Sequence, residues 1–517
     1  MGAPLVTVVV TAREGHANTL ASLESVLADD AIPFDLVYVD LLSPPPLAAA
    51  IATRCARRGG QIIRLDEWMA PAAARKLALP LVKTKYVAFI DNDVTVERGC
   101  LEKLVACAEE TGAGLVSPLY LQAGGGHPPT IHMAGGIFTW SEDAAGRLLA
   151  ETHRMHGAPV EAANGLARTK VDYTEYHYVL GRADLLTLPG AISDDVLLVH
   201  EHIDLALFAR EQGLDIFLEP SARATYIAFD SRTLADADFY RRRWDVEACN
   251  MSLDAFLRGH PKADPAGMTG SMRSYAPGRL QEFEIRRPGT AGEDLAAPMS
   301  PSELAQTRYA LRQQAFERGY QEDEVRAIEQ ACDFATLTFD GLYRPDGRPF
   351  LNHVIGTASA LVRYELRLDI VMAGLTHAAY THRPAWMTEE EISNTLGAGR
   401  QVDLLVRSHP GAKTFLNNND CDPLQFNVNQ AEVMCLLAAN EADMRLSGEY
   451  RATGRPAELQ LNALAMISAA LSHFGIDGLA KTASRPLGDV QVWPLLGAGA
   501  RKVSFRLDAP NRRLNPI

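Results

Sequence analysis

The sequence lacks three features that would place it in a special class of protein. No stretch approaches the roughly 18 consecutive apolar residues of a membrane-spanning helix, so we expect no transmembrane segment. The seven cysteines form no Cys-x-x-Cys pair and have no regular spacing, which favours reduced thiols and a cytoplasmic protein. The formal net charge is -14, and this argues against a nucleic-acid partner because phosphate backbones need a basic surface.

The length of 517 residues exceeds what one hydrophobic core accommodates, so we expect two or three domains. Early in the chain, short β-branched runs alternate with amphipathic stretches, which is typical of parallel βαβ units. Residues 260–300 are rich in Pro, Gly and Ser, and the pattern after Glu303 is helical. We predict an α/β domain at 1–235 and a helical extension with a linker at 236–300. An all-helical domain at 301–480 and a tail at 481–517 are expected to follow.

The most informative motif follows an apolar run at residues 85–90, which predicts a buried strand ending in Asp91-Asn92-Asp93. In parallel sheets, ligands bind beyond the carboxyl ends of the strands. Two carboxylates at such an end need a cation or hydrogen-bond donors, and Mg²⁺ and Mn²⁺ prefer oxygen ligands. The alternative is a solvated turn, since Asp and Asn favour turns.

Four segments occur in the order seen in family 2 glycosyltransferases, and the resemblance covers roughly residues 4–230: residues 5–26, 37–40, 73–77 and 86–93. The resemblance implies the GT-A fold, which is Rossmann-like with a mostly parallel sheet. It also implies transfer of a hexosyl group, with inversion, from a UDP- or GDP-linked sugar to an acceptor hydroxyl. The donor sugar and the acceptor stay open.

The resemblance assigns a set of donor-binding residues: Thr11, Arg13, Glu14, Asp40, Arg75, Asp91, Asn92 and Asp93. Within this set, Asp91 and Asp93 would hold Mn²⁺ or Mg²⁺, Asp40 would bind the base or ribose, and Arg75 would lie near the diphosphate. A metal and an Arg suit this reaction because negative charge grows on the leaving phosphate.

Residues 200–207 resemble the acidic motif of the same family, which supplies the general base. Glu201 and Asp204 match the motif, and His202 stands where a second acid is frequent. The two acids are three residues apart, so they share one helix face; we prefer Glu201 as the base and keep Asp204 open. Acids also simply start helices well. The His that often follows the next strand is replaced at residues 224–226, which predicts a metal shell completed by water or weak metal dependence.

Further residues suggest an acceptor side. Gly135 and Gly136 fit a loop that lets a sugar approach closely, and His202 could contact the acceptor or be a surface residue. Arg243 and Trp244 resemble an Arg-Trp element in which the ring stacks on a sugar and the guanidinium meets phosphate. A basic surface helix is the alternative.

The C-terminal half resembles HD phosphohydrolases, of the branch that hydrolyses guanosine tetraphosphate, through His353, His377 and Asp443. Ala378 replaces the Asp of the His-Asp pair, so we predict an inactive, HD-like, all-α scaffold that supports the transferase, recognises the acceptor or forms a homo-oligomer. Two other functions remain open: a nucleotide phosphohydrolase acting through this half, and a non-catalytic sugar-nucleotide-binding or protein-binding module.

Overall fold

The computed structural model describes residues 3–124, 127–143, 146–229, 233–281, 283–287 and 295–486. The chain divides into two compact units, Met1–Glu282 and Phe283–Ile517. None of the helices within the described ranges is long and apolar enough to cross a membrane.

The first unit is an α/β structure. Its strands are β1 (Val6–Thr11), β2 (Phe34–Leu41), β3 (Gln61–Leu65), β4 (Tyr86–Asp91), β5 (Val94–Val96), β6 (Leu115–Gly124), β7 (His127–Met133), β8 (Gly136–Trp140), β9 (Leu148–His153), β10 (Thr169–Val171), β11 (Tyr178–Arg182) and β12 (Ile216–Phe229). Its helices are α1 (Thr19–Ala28), α2 (Pro45–Ala56), α3 (Pro71–Ala78), α4 (Cys100–Thr111), α5 (Ala183–Leu186), α6 (Glu201–Glu211), α7 (Ala237–Arg243), α8 (Val246–Gly259) and α9 (Pro265–Gln281).

The main sheet is mixed, with strand order β10-β12-β6-β11-β4-β1-β2-β3. β1 pairs in parallel with β2 and β4, and β11 lies antiparallel between β4 and β6. Every residue of β1 and β4 is buried, as expected of central strands covered on both faces and rich in Val, Ile and Phe. β8 and β9 form a separate hairpin.

The second unit is helical. Its helices are α10 (Arg308–Glu317), α11 (Glu322–Phe339), α12 (Phe350–Arg363), α13 (Leu368–Thr376), α14 (Ala379–His382), α15 (Glu389–Thr395), α16 (Gln401–Asn418), α17 (Val428–Leu446), α18 (Glu449–Thr453), α19 (Leu461–Ser472) and α20 (Asp477–Ala483). α17 is buried from Ala431 to Leu446, so it is the central helix around which others pack.

The predicted fold class is confirmed: a Rossmann-like, mixed sheet with helices comes first, and a helical half follows. One detail is wrong, because part of the linker expected within 236–300 is helix α9. Its Pro, Gly and Ser content predicted a loop, but packing against α8 and β9 holds the helix, and tertiary contacts override weak propensity. Most of the predicted tail at 481–517 lies outside the described residues.

Candidate active site

Three parallel strands bring the predicted donor residues to one edge of the sheet. Thr11 in β1 is aligned with Asp91 in β4 and with Val39 in β2, so Asp40 follows at the same level. Asp40 is buried and pairs with Arg64. Its Oδ1 accepts a hydrogen bond from the backbone N–H of Ser43. This is the carboxyl edge at which such sheets bind ligands.

Asn92, between the two acids, fixes the loop that follows β1. Its side-chain amide donates to Gly15 O and to Thr19 Oγ1, each over 2.7 Å, and its Oδ1 accepts the backbone N–H of Arg13 over 3.1 Å. Its own backbone N–H donates to Thr11 O. Asn92 therefore shapes the mouth of the site, and its polar atoms are occupied by the protein.

Asp91 is fully buried and surrounded by basic groups. Its Oδ1 lies 2.5 Å from Nη2 of Arg75, while its Oδ2 lies 3.3 Å from Nδ1 of His177 and 3.5 Å from Nη1 of Arg13. Burial alone would raise the pKa of this carboxyl, but Arg75, His177 and Arg13 lower it to about 2. Asp91 is therefore ionised at neutral pH.

Asp93 has a different environment. It is buried, and its Oδ1 makes no hydrogen bond to the described part of the chain. Burial, followed by the charges of Asp91 and Glu14, raises the pKa of Asp93 to about 7. A buried carboxyl in this situation either keeps its proton or takes a cation.

His177 joins these acids, although the sequence did not single it out. Metal-binding atoms of Asp91, Asp93 and His177 lie within 4.8 Å of one another. Burial and Arg13 would lower the pKa of His177, but Glu175 and Asp91 raise it to about 9, so a protonated ring balances the carboxylates when no cation does. Two carboxylates and an imidazole are a suitable donor set for Mn²⁺ or Mg²⁺, and the residues present fit the predicted cation.

No His follows the next strand at residues 224–226, and His177 lies beside the strand-end acids. Tyr226 of β12 stands in that neighbourhood and stacks on the His177 ring, with centroids 4.2 Å apart. His177 itself directly precedes β11, and the pairing of β11 with β4 carries it to Asp91. Only the strand pairing reveals this neighbour, because His177 and Asp91 are far apart in the sequence.

A cavity of about 300 Å³ is lined by Arg13 and His177, the neighbours of Asp91, although Asp91 and Asp93 are not among its lining residues. Its walls include most of the remaining predicted residues and several that were not predicted: Arg13, Glu14, His132, His153, His156, Glu175, His177, Glu201, His202, Tyr226, Arg243 and Trp244. The structure thus places donor-side and acceptor-side candidates around one space.

The two candidate bases differ in their surroundings. Glu201 is the first residue of α6, lies on the cavity wall and is mostly buried. Asp204 is not among the cavity-lining residues, and its Oδ1 lies 2.7 Å from Nε2 of His260. The geometry therefore favours Glu201 as the base. Its negative charge is also stabilised by the positive end of the helix dipole.

The arginines also differ from expectation. Arg75 is fully buried under the ring of Tyr176, and its Nη1 lies 4.0 Å from Oε1 of Glu201, so it bridges Asp91 and Glu201 instead of facing the cavity. Arg243 does line the cavity and is only 1% exposed. Its Nε and Nη1 make no hydrogen bonds with the described residues. The alternative of a basic surface helix is therefore wrong for Arg243, because the side chain packs inward over Trp244.

Of the other predicted acceptor-side residues, His202 lines the cavity and the two glycines do not. His202 lines the cavity, and burial lowers its pKa to about 4. Gly135 and Gly136 do not line it: a side chain at Gly136 would meet the Tyr173 ring at 2.2 Å, and one at Gly135 would meet Val171 at 2.4 Å. These glycines admit neighbouring side chains of the protein, and no room for a sugar is visible there.

The three residues of the predicted HD-like site do lie together in the second unit. His353 Nδ1 is 2.6 Å from Oδ2 of Asp443, and the His353 and His377 rings are 5.2 Å apart. However, Arg348 donates two hydrogen bonds to Asp443, over 2.9 and 2.8 Å. Among the described residues, the side-chain groups that could share a metal all lie in the first unit. Arg348 thus neutralises the charge of Asp443, which a metal would do in an active site of the HD type.

Buried histidines in this unit predict a loss of stability in acid. Burial, and next Lys413, lowers the pKa of His409 to about 4, whereas an unfolded chain protonates its histidines near pH 6.5. As the pH falls, the unfolded state therefore takes up a proton at this residue before the folded state does. The free energy of unfolding should fall by about 2 kcal/mol for this residue between pH 7 and pH 5. Urea unfolding at both pH values should show that His409→Leu loses less stability on acidification than the wild type. Identical pH profiles would contradict the prediction.

Comparisons with known proteins concern the N-terminal region of the chain. Residues 7–144 match the family described as Glycosyl transferase family 2. The succinoglycan biosynthesis protein ExoO of Rhizobium meliloti (strain 1021) is 31% identical over 113 residues, which cover 21% of this chain and 31% of that protein. The match thus spans about a third of the length of that curated relative.

Solved structures give weaker similarities. A crystal structure of GalNAc-T7 with UDP, GalNAc and Mn²⁺ has a TM-score of 0.34 and 14% identity, covering 53% of this chain and 54% of that one. The structure of S. aureus TarS 1–349 in complex with UDP-GlcNAc has a TM-score of 0.33 and 13% identity, covering 73% and 90%. The family match decides the assignment: the N-terminal region of this chain contains a glycosyltransferase family 2 domain.

Proposed function

We propose that the first unit transfers a hexosyl group from a UDP- or GDP-linked sugar to an acceptor hydroxyl, with inversion. The observation that carries this proposal is the buried Asp93 carboxyl, which has a raised pKa and lies with Asp91 and His177 beside a cavity that Glu201 lines. Asp91, Asp93 and His177 would hold Mn²⁺ or Mg²⁺. When bound, the cation would offset the negative charge of the leaving diphosphate.

The protein's own groups account for the rest of the reaction. The acceptor oxygen attacks the anomeric carbon as its proton passes to a carboxylate oxygen of Glu201, and the bond from the anomeric carbon to the diphosphate breaks. Arg75 keeps Glu201 and Asp91 in place through contacts at 4.0 and 2.5 Å. Arg243 would contact a phosphate, since it lines the cavity and its Nε and Nη1 are buried without hydrogen-bond partners among the described residues.

Thr11, Asp40 and the loop held by Asn92 would form the nucleoside end of the site. Asp40 and Thr11 lie at the same sheet edge as Asp91, and Thr11 Oγ1 is buried without a hydrogen-bond partner among the described residues. Glu14 is already paired with Arg279 over 2.8 Å. Asp40 is likewise paired, with Arg64, so we assign the base or ribose contact to Thr11 ahead of Asp40 and Glu14.

Nucleotide binding tests the proposal without knowledge of the acceptor. We expect UDP or GDP to raise the melting temperature in the presence of Mn²⁺, and to raise it less in EDTA. A ligand present at 100 times its Kd stabilises the folded state by about 2.7 kcal/mol, which is easily detected. A screen of UDP, GDP, ADP and CDP with and without Mn²⁺ identifies the base and measures the metal dependence.

The matched control is Asp35→Asn, which changes an exposed Asp on β2 at the end of the strand away from the site. This variant should respond to nucleotide and Mn²⁺ as the wild type does, whereas Asp93→Asn should lose the Mn²⁺-dependent part. No response to any of the four nucleotides, or an unchanged response in Asp93→Asn, would contradict the proposed site.

A further inference from the structure

Three histidines line one wall of the cavity and are not used by the proposed donor chemistry. His132 is in β7, His153 ends β9, and His156 follows in the next turn. The pairing of β7 with β6 and of β8 with β9 brings the three histidines together. Strand β8 lies between His132 and His153 in the chain. Metal-binding atoms of all three lie within 4.8 Å of one another.

The spacing of the rings suits a shared cation. Ring centroids are 5.1 Å apart for His132 and His153, 5.6 Å for His132 and His156, and 6.0 Å for His153 and His156. With Zn–N bonds of about 2.1 Å at tetrahedral angles, three imidazole centroids lie roughly 5–5.5 Å apart. The rings meet edge to face in each pair, so the cluster is not an aromatic stack.

The hydrogen bonds of two of the rings show which of their nitrogens a cation could use. His156 Nδ1 donates to the backbone oxygen of His132 over 2.9 Å. His132 Nδ1 lies 3.2 Å from Oε1 of Gln122, and the amide orientation is supported because Gln122 Nε2 donates to Thr130. His156 Nδ1 therefore carries hydrogen and its Nε2 keeps a lone pair. His132 has an acceptor beside each ring nitrogen, Gln122 Oε1 at Nδ1 and Glu175 Oε2 at Nε2, so a cation at Nε2 would replace the proton shared with Glu175. Metal-binding histidines are typically held in this way, through the ring nitrogen that does not bind the metal.

Glu175 supplies a buried negative charge beside the three rings. Its Oε2 lies 3.3 Å from Nε2 of His132, and its Oε1 lies 3.1 Å from Nε2 of His153. The same carboxylate lies 2.7 Å from Nε2 of His177, which belongs to the strand-end group. Glu175 thus stands between two sets of possible metal ligands and is the nearest carboxylate that could complete the histidine set.

We propose that His132, His153 and His156 hold a second divalent cation, of the class that prefers imidazole nitrogen, such as Zn²⁺. Three imidazoles with a nearby carboxylate favour Zn²⁺ over Mg²⁺ or Ca²⁺, which favour oxygen ligands. The three histidines are different residues from Asp91, Asp93 and His177, although His132 and Glu175 also lie close to His177, and this proposal does not depend on the transferase proposal. Since the three residues line the same cavity as Glu201, the cation would fix the part of the wall that they form.

Metal titration of the full-length protein tests this site. After removal of metals with a chelator, Zn²⁺ binding is measured by calorimetry, and Co²⁺ is added as a spectroscopic probe whose intense visible absorption reports a four-coordinate site. We expect the wild type to bind two equivalents of Zn²⁺, one at Asp91, Asp93 and His177 and one at the three histidines, and we expect Asp93→Asn to isolate the second. His156→Ala should weaken it by about tenfold or more, as loss of a ligand should cost at least as much as loss of an outer partner. His156 is exposed, so its replacement leaves the core intact.

Two variants separate this site from its surroundings. His202→Gln changes a histidine on the same cavity outside the cluster and should bind Zn²⁺ as the wild type does. Asp93→Asn changes the strand-end group and should keep the equivalent bound by the three histidines, with unchanged affinity. Zn²⁺ should also raise the melting temperature of the wild type more than that of His156→Ala. Equal Zn²⁺ affinity in His156→Ala and the wild type, or loss of Zn²⁺ binding in Asp93→Asn, overturns the proposal. Neither result would affect nucleotide binding, so the transferase proposal is judged separately.

Discussion

Asp93→Asn is expected to reduce sugar transfer by roughly 10²–10³-fold, the loss typical of removing one group that stabilises transition-state charge. The same variant should be at least as stable as the wild type at pH 8 in EDTA. Asn has the shape of Asp without its charge, and burial makes that charge unfavourable, as the pKa of about 7 shows. Release of nucleoside diphosphate from a sugar nucleotide, with water or an acceptor, measures the activity.

The stability of Asp93→Asn should depend on pH in a defined direction. The unfolded chain releases the Asp proton near pH 3.9, whereas the folded protein releases it only near pH 7. The wild type therefore loses stability relative to the variant as pH rises from about 4 to about 7. Thermal melts in EDTA at pH 5 and pH 8 measure the difference, and a variant less stable than the wild type at pH 8 would show that Asp93 has a structural role.

Asp91→Asn is a poorer test of function, because it combines two effects. Asp91 is paired with the fully buried Arg75, and removing one partner of a buried ion pair typically costs about 3–5 kcal/mol. Loss of activity in that variant would not separate misfolding from loss of the cation. Asp93 is therefore the informative position of the two.

Glu201→Gln is expected to lower the rate of transfer by roughly 10²–10⁴-fold, which is the usual contribution of a general base. The KM for the sugar nucleotide should change little, because Glu201 acts on the acceptor. Arg75 keeps its closer partner Asp91 at 2.5 Å in this variant, so the unit should still fold. Steady-state kinetics with the same nucleotide-release assay measure the effect.

Asp204→Asn provides the matched comparison for the base. Asp204 pairs with His260 over 2.7 Å and is absent from the cavity-lining residues, so its loss should reduce the rate by less than about tenfold, a fraction of a base's contribution. If Asp204→Asn were inactive and Glu201→Gln active, the assignment of the base would be reversed.

Local sequence patterns were sufficient for the parts of the site that strands position directly. Asp40 and Asp91 end buried runs of apolar residues, and the parallel pairing of β1, β2 and β4 places them at one edge. The acid block at Glu201 correctly marked the start of a helix. In each of these cases, the chemistry and the element that carries it are adjacent in the chain.

The histidines and Glu175 could not be predicted in the same way. They approach one another through pairings between distant segments, such as β11 with β4 and β6 with β7, and nothing local distinguishes them from surface histidines. Arg243 was weighed as a surface residue for a similar reason. Three consecutive arginines suggest a helix exposed to solvent. The third, Arg243, instead faces inward because α7 ends there and Trp244 packs beneath it.

Asn92 has a practical consequence for protein engineering. Its amide joins the loop after β1 to α1 and to the strand-end turn through bonds at 2.7, 2.7 and 3.1 Å. Replacing it with Asp would place a carboxylate oxygen against the carbonyl oxygen of Gly15, and two acceptors repel each other. A library intended to alter the choice of nucleotide should therefore keep Asn92 constant. Thr11 is a better position to randomise, because its Oγ1 makes no hydrogen bond to the described residues.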